Sequence, residues 1–169
     1  SADVLPQDSS RKQPVRNSKK RALIYLILFA FVYFVVCTII AWTTVMPKNR
    51  VLRTDPKLEF GLSFEDVSWK SADGTKIRGW YIPPSNSTFH GVVVLCHGID
   101  GNRTAHLSTA NWLSRSGYAT LLFDFRGRGE SDRTNCTMGL RETEDLLGGI
   151  DFVSGKQELR EQRICVLGH

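Results

Sequence analysis

The sequence predicts an α/β fold whose sheet is preceded by one transmembrane helix. The first observation is an uncharged apolar run from Ala22 to Val45. The second is a set of three short apolar runs that begin at Gly91, Ala119 and Ile164. Runs of this kind are typical of strands buried on both faces of a parallel sheet. The third is that helical segments separate these runs, so strands and helices alternate as in right-handed β-α-β units.

Residues 22–46 are predicted to form the transmembrane helix. About 20 apolar residues suffice to cross the hydrocarbon core of a bilayer. Tyr25 and Trp42 lie near the two ends of the run, where aromatic side chains favour the membrane interface. A cleaved signal peptide fits less well, because its apolar region is about 7–15 residues long and ends in a small-x-small site, which residues 44–47 do not provide. We therefore expect the lipid bilayer to be a partner of residues 22–46.

Positive charge is concentrated on the two sides of this apolar run. Residues 1–60 hold ten basic and four acidic side chains, whereas the remainder holds twelve basic and thirteen acidic ones. Basic groups beside a membrane span suit anionic lipid headgroups, so we expect no nucleic-acid partner. The flank before the span is the more basic one, and the positive-inside rule then places the N-terminus in the cytoplasm and the following domain outside it.

The spacing of cysteine and histidine does not match a metal site. Cys37 lies in the apolar span, while Cys96 and Cys165 lie inside apolar strand-like runs, where cysteine behaves as a small hydrophobic residue. His90 and His106 have no carboxylate or cysteine at the spacing of a ligand set. We expect neither a metal nor another cofactor.

A β-hairpin is predicted at the start of the globular part. Polar and apolar residues alternate from Phe64 to Trp69, Asp73 and Gly74 supply a turn, and a second run extends from Lys76 to Ile82. An Asp-Gly pair between two alternating runs is a strong hairpin signal. The chain is thus divided into a basic disordered tail (1–21), the transmembrane helix (22–46), a linker (47–61) and a partial α/β domain (62–169).

Three strands and two helices are predicted to follow the hairpin. Gly117 is placed to end the first of these helices, and Glu142, Glu144 and Asp145 are expected on the solvated face of the second. The predicted elements are a strand from Gly91 to Cys96, a helix from Ala105 to Arg115, a strand from Ala119 to Phe123, a helix from Leu140 to Val153 and a strand from Ile164 to Leu167.

Each of the three predicted parallel strands is followed by a motif containing glycine. These motifs are His97-Gly98, Asp124-x-Arg126-Gly127-x-Gly129-x-Ser131 and Gly168-His169. Open α/β sheets bind their ligands at the carboxyl ends of such strands. A dinucleotide site does not fit, because the third glycine of G-x-G-x-x-G is replaced by Asp132.

In this order, the three motifs resemble the first half of an α/β-hydrolase of the serine-aminopeptidase-like or lipase- and esterase-like kind. The resemblance covers residues 64–169. It implies the N-terminal half of an α/β-hydrolase fold, in which an edge hairpin leads into a parallel β-α-β-α-β unit. It also implies that a nucleophilic serine follows His169 directly, in a Gly-x-Ser-x-Gly elbow.

The resemblance assigns roles to several residues. The backbone N–H of Ile99 would belong to the oxyanion hole, and His97 would position a loop and would not be the catalytic base. The residues expected to support the loops and the elbow are His97, Gly98, Asp124, Arg126, Gly127, Gly129, Ser131, Gly168 and His169. None of the catalytic triad is expected within residues 1–169, since the acid and the base follow the nucleophile in this family.

The predicted function is that of a membrane-anchored serine hydrolase, which cleaves a small-molecule ester, thioester, amide or acyl substrate through an acyl-serine intermediate. Residues 1–169 alone are expected to be inactive. Two alternatives remain. One is an aspartate nucleophile, as in epoxide hydrolases and dehalogenases, and the other is a catalytically dead membrane-bound fragment or scaffold. The sequence indicates no oligomeric state.

Overall fold

The computed structural model describes residues 16–47, 51–159 and 163–168. The chain divides into two compact units, with the boundary between Trp42 and Thr43. The first unit holds most of the long helix α1 (Arg16–Val45). The second unit holds the sheet and the remaining helices.

Helix α1 has the length and composition of a membrane span. An 18-residue window within Ser18–Val45 has a mean hydropathy of 2.9, and none of that window is buried. A signal sequence near an N-terminus can have the same length and hydropathy. The helix begins at Arg16, six residues before the predicted start, because the lysine and arginine side chains at 19–21 favour helix and extend it. Residues 1–15 of the predicted tail lie outside the described residues.

The predicted linker contains a short helix, α2 (Pro56–Phe60). Asp55 caps its N-terminus by accepting hydrogen bonds from the backbone N–H groups of Lys57 and Leu58. Gly61 ends it in the left-handed conformation, with φ of 68°. A side-chain cap and a terminal glycine are the usual signals for the two ends of a helix.

Within the described residues, the sheet has five strands in the order β1-β2-β4-β3-β5. Strands β1 and β2 form an antiparallel hairpin, β2 pairs antiparallel with β4, and β3 pairs parallel with both β4 and β5. The carboxyl ends of β3, β4 and β5 therefore lie at one edge of the sheet, and the predicted fold class is confirmed. The strands are β1 (Glu65–Lys70), β2 (Lys76–Ile82), β3 (Gly91–Cys96), β4 (Tyr118–Asp124) and β5 (Ile164–Gly168).

One helix covers each face of the sheet. Helix α3 (Leu107–Arg115) packs on the face that contains Val93 and Leu95. Helix α4 (Glu142–Gly155) packs on the opposite face, with Val92 and Val94. Two short 3-10 helices, at Arg103–His106 and Gln157–Leu159, lie before α3 and after α4. All six residues of β3 are buried, as expected for a strand that has a neighbour on each side and a helix on each face.

A pair of glycines lets α4 approach the sheet closely. A Cβ atom on Gly148 would lie 2.7 Å from Cδ1 of Trp69, and one on Gly149 would lie 2.9 Å from its Cζ2. The Trp69 indole also donates a hydrogen bond to the backbone carbonyl of Asp145 in α4. Glycine is unfavourable inside a helix. Here the close contact with Trp69 explains why glycine occupies both positions.

Strand β5 departs from the prediction of a strand buried on both faces. It pairs with β3 along one side only and lies at the edge of the sheet. Val166 and Leu167 are 49% and 45% exposed, and Cys165 is exposed too. Burial depends on which elements cover a strand. Ile164, at the start of β5, packs against the core that includes Val153 of α4, whereas the rest of β5 is exposed.

Candidate active site

Two loops at the carboxyl edge of the sheet form the walls of a cavity of about 280 Å³. The loop after β3 contributes His97, Gly98 and Ile99, and the loop after β4 contributes Phe125, Arg126 and Arg128. The remaining lining residues are Cys136, Met138 and Gly139, which precede α4, and Glu142, its first residue. The cavity thus lies where open α/β sheets bind ligands.

Asp124, the last residue of β4, joins these two loops. Its side chain is completely buried. Oδ1 accepts a hydrogen bond of 2.7 Å from the backbone N–H of Arg103, and Oδ2 accepts one of 2.9 Å from the backbone N–H of Glu130. Each carboxylate oxygen therefore fixes the backbone of a different loop, which suits a bracing role for Asp124.

The two glycines of the motif allow the loop after β4 to turn tightly around Asp124. Gly129 has φ of 47°, and a Cβ atom there would lie 2.0 Å from Oδ2 of Asp124. Gly127 has φ of 67°, and a Cβ atom there would lie 2.2 Å from the carbonyl oxygen of Thr134. Only glycine combines this conformation with so close an approach.

Ser131 ties the end of the same turn to two strands. Its hydroxyl donates to the carbonyl oxygen of Asp124 in β4 and accepts from the backbone N–H of Arg78 in β2. The serine of the motif is thus buried and fully engaged in backbone contacts. Ser131 stabilises the conformation of the loop and is not positioned as a nucleophile.

Arg126 is buried behind the cavity in a network of acidic groups. Its guanidinium makes a bidentate ion pair with Asp145 of α4, donates to Asp73 at 2.7 Å and donates to the hydroxyl of Ser71 at 3.0 Å. Burial opposes the charge of Arg126, but hydrogen bonds to Asp145 and Asp73 outweigh it and raise the pKa of the guanidinium. Hydrogen bonds from Thr75, followed by the one from Arg126, hold the pKa of Asp73 well below its usual range.

The expectation that Glu142, Glu144 and Asp145 form a solvated face is wrong for Asp145, which is completely buried. It faces the sheet because it neutralises Arg126. Glu142 is also engaged, since its carboxylate accepts hydrogen bonds from Thr137 and from the backbone N–H of Gly139. Burial raises the pKa of Glu142, but these hydrogen bonds outweigh burial and lower it to about 2.

His97 is held as a neutral, positioning side chain. The backbone N–H of Phe125 donates to Nε2 at 3.1 Å, so Nε2 must be an acceptor. The proton of the neutral ring is then on Nδ1, which donates to the carbonyl oxygen of Gly98 at 2.7 Å. Burial, the main cause, lowers the pKa of His97. With both nitrogens bonded to backbone, His97 is not free to act as a general base.

The same hydrogen bonds orient the backbone N–H of Ile99. The Gly98 carbonyl accepts from His97 Nδ1 and also from the backbone N–H of Gly101, at 2.9 Å. A peptide group is planar and trans, so fixing the Gly98 oxygen directs the N–H of Ile99 the opposite way. Within the described part of the chain, this N–H has no acceptor. A backbone N–H without an acceptor is available to an oxyanion, and the role of Ile99 in an oxyanion hole stays a prediction.

Gly168 brings the third motif to the same edge. It is the last residue of β5 and pairs in register with Cys96, the residue before His97. Neighbouring strands lie about 4.8 Å apart, so Gly168 lies beside the start of the loop after β3. His169 itself lies outside the described residues.

Arg128 is the site residue that the sequence reasoning missed. It is 2% exposed and donates from Nε to the carbonyl oxygen of Ile99 at 2.7 Å. The available signal was a charged residue between two glycines that both need positive φ. Such a turn has little freedom to direct a side chain to solvent.

Among the residues that the structure describes, no group of three or more His, Cys, Asp or Glu side chains is arranged to hold a metal ion.

Residues 87–169 match the family model described as serine aminopeptidase, S33. The uncharacterized protein YfhR of Escherichia coli K12 is 28% identical over 158 residues, which are 92% of this chain and 53% of that protein. YfhR of Salmonella typhimurium is 32% identical over 127 residues, covering 72% of this chain and 40% of that one. The chain spans about half the length of the curated relatives it matches.

Solved structures agree with this family relationship. The esterase Pf2001 of Pyrococcus furiosus matches 73% of this chain and 47% of its own, with 29% identity and a TM-score of 0.65. An α/β serine hydrolase homologue from Coxiella burnetii, at 22% identity and a TM-score of 0.54, covers 62% of this chain and 50% of its own, and supports the fold alone. The fold and the loops at its carboxyl edge define an α/β hydrolase. The chain belongs to the α/β-hydrolase superfamily, and its sheet is the N-terminal half of that fold.

Proposed function

We propose that the protein containing this chain is a membrane-anchored serine hydrolase, which cleaves an ester, thioester or amide through an acyl-serine intermediate. The observation that carries the proposal is the convergence of three backbone segments at one edge of the sheet. These are the loop after β3, which contains Ile99, the loop after β4 and the end of β5 at Gly168. In an α/β hydrolase, this is where nucleophile and oxyanion hole meet.

The proposed nucleophile is a serine directly after His169. Gly168 would be the first glycine of the elbow, and the register of β5 with β3 would bring this serine close to Ile99. The N–H of Ile99 would then donate to the oxyanion that forms when the serine attacks the carbonyl carbon. Removing one such donor costs roughly 3–4 kcal/mol of transition-state stabilisation.

The base and the acid of the triad would come from the chain after the nucleophile. Neither His97 nor Asp124 is suited to these roles. The ring nitrogens of His97 are both bonded to backbone, and the carboxylate of Asp124 is completely buried between two backbone N–H groups. Both side chains would instead hold the loops that surround the reacting carbonyl.

The substrate proposed for this site is an acyl compound. Ile99, Phe125 and Met138 supply apolar surface to the cavity, whose volume of about 280 Å³ suits a short acyl chain or a similar apolar group. Binding sites of this kind are mainly apolar with few polar groups.

Residues 22–46 would hold the enzyme in the bilayer, with the N-terminus in the cytoplasm and the catalytic domain on the other side. Protease added to sealed cells would then digest the domain; if the domain survives and is digested only after lysis, this orientation is wrong.

The chemistry is tested on the full-length protein with a fluorophosphonate probe, which labels activated serines. We expect labelling that disappears when the residue after His169 is replaced by alanine, together with hydrolysis of short-chain p-nitrophenyl esters. An enzyme with an aspartate nucleophile would hydrolyse an epoxide or a haloalkane and would not be labelled. A scaffold would do neither, and either result would overturn the serine mechanism.

A further inference from the structure

Arg128 is a buried cation that is bonded to carbonyl oxygens instead of carboxylates. Its Nε donates to Ile99 at 2.7 Å, and its Nη1 donates to the carbonyl oxygen of Met46 at 3.1 Å. Within the described ranges, no carboxylate lies within 4 Å of its guanidinium, and Nη2 has no partner. One of these carbonyls, that of Ile99, belongs to the loop after β3, which we call the oxyanion loop. The other, that of Met46, belongs to the residue that directly follows α1.

A second hydrogen bond fixes the same segment to the cavity wall. The backbone N–H of Cys136, a buried lining residue of the cavity, donates to the carbonyl oxygen of Val45 at 3.0 Å. A Cβ atom on Gly127 would come within 3.5 Å of the Cα of Pro47. Three consecutive residues, Val45 to Pro47, therefore contact the loop after β4. They belong to the same compact unit as that loop. We call Val45–Pro47, which comprises the last two residues of the predicted span and the residue after it, the juxtamembrane strap.

We propose that the juxtamembrane strap is a structural part of the candidate active site and that Arg128 is the positioning residue that couples it to the oxyanion loop. A buried guanidinium is stable only where its N–H groups find acceptors. The carbonyl oxygens of Ile99 and Met46 are two such acceptors. Because the guanidinium is rigid and planar, it couples the position of the oxyanion loop to the position of the juxtamembrane strap. The anchor segment would then do more than hold the domain at a membrane.

This inference rests on the proposed function, because its consequence is a change in the oxyanion loop. If Arg128 holds the peptide groups around Ile99 in place, its loss displaces the N–H that would stabilise the oxyanion. The effect is expected on the rate of serine acylation rather than on substrate binding. A residue that only stabilises the fold would lower the unfolding temperature and leave the acylation rate of the folded protein unchanged.

The experiment compares four full-length proteins in detergent micelles: wild type, Arg128→Lys, Arg128→Met and Arg133→Met. Lysine keeps the charge but has no second nitrogen to bridge the two carbonyls. Arg133 is an exposed arginine five residues further along the same loop and is the matched control. We expect both Arg128 variants to be labelled by the fluorophosphonate about tenfold or more slowly than wild type, and Arg133→Met to be labelled at the wild-type rate.

Hydrogen–deuterium exchange gives a readout that does not depend on activity. In wild type, the amide of Cys136 should be protected, and in Arg128→Lys the amides of residues 45–46 and 98–101 should exchange faster together. An unprotected Cys136 amide in wild type would overturn the inference even if no Arg128 variant folds. Faster exchange in only one of the two segments would overturn it as well. Absence of labelling in wild type would instead contradict the proposed serine chemistry and leave the exchange experiment to decide the coupling.

Discussion

Arg126 and Asp145 form a bidentate ion pair that is almost completely buried. Nη2 of Arg126 lies 2.7 Å from Oδ1 of Asp145, Nε lies 3.0 Å from Oδ2, and the two side chains are 1% and 0% exposed. The pair joins the loop after β4 to helix α4. The hydrogen bond from the backbone N–H of Arg126 to the same carboxylate adds a third contact.

We expect Asp145→Asn to destabilise the fold strongly. The amide would leave Arg126 with Asp73 at 2.7 Å and Glu144 at 3.9 Å as its remaining carboxylates. Breaking a buried ion pair costs up to about 3–5 kcal/mol. Asp151→Asn is the matched control, because Asp151 lies on the exposed face of the same helix. Thermal unfolding of the full-length protein in detergent should show a large fall in the midpoint for the first variant and almost none for the second. Equal midpoints for the two variants would contradict the assignment.

Gly129→Ala should disrupt the turn around Asp124. A Cβ atom at this position would overlap Oδ2 of Asp124, and a φ of 47° is unfavourable for alanine. The carboxylate would have to leave its two backbone donors, so we expect a marked loss of both stability and activity. Gly155→Ala is the control, since nothing lies within 4 Å of a Cβ there. The circular dichroism melting curves of the two variants should differ clearly; a Gly129→Ala protein that melts like Gly155→Ala would show that the turn tolerates a side chain.

These variants also mark how far the sequence alone could predict the site. The apolar runs, the glycines that require positive φ and the order of the motifs are local signals, and they placed His97, Asp124 and Gly168 at one edge of the sheet. The burial of Asp145 is not a local property, because its partner lies 19 residues away on another element. A helix with three acidic residues in its first turn looks amphipathic until the buried partner of one of them is known.

The exposure of β5 and the role of Arg128 were missed for related reasons. An apolar run predicts a strand, but its position in the sheet order decides how much of it is covered. Arg128 reaches carbonyls at Ile99 and Met46, which are 29 and 82 residues distant in sequence. No periodicity connects positions so far apart, so tertiary contacts alone reveal the link.

His97 should make the stability of the protein depend on pH. Burial lowers its pKa in the folded state, below the value of about 6.5 expected in the unfolded chain. The unfolded chain therefore takes up this proton first as the pH falls, so the stability contributed by neutral His97 is complete above about pH 6.5 and declines below it. The decline ends once the pH falls below the lower pKa of the folded state.

The measurement is the unfolding midpoint between pH 7.5 and pH 5 for wild type, His97→Gln and His90→Gln. Glutamine can accept from one backbone group and donate to another but does not titrate in this range. His97→Gln should flatten the pH dependence, and His90→Gln replaces an exposed histidine and controls for the substitution itself. A wild-type slope that persists in His97→Gln would show that His97 is not the group responsible.

The role of the Ile99 backbone can be separated from that of its side chain. Ile99→Pro removes the N–H and keeps the carbonyl that accepts from Arg128, whereas Ile99→Ala removes most of the side chain and keeps the N–H. If the N–H stabilises the oxyanion, Ile99→Pro should lower kcat of the full-length enzyme by about 10²–10³-fold, the loss expected for one oxyanion donor. Ile99→Ala should change KM more than kcat, because Ile99 is 45% exposed and lines the cavity. Unfolding midpoints of both variants control for a general loss of structure. Equal effects of the two substitutions on kcat would place the oxyanion donor elsewhere in the loop.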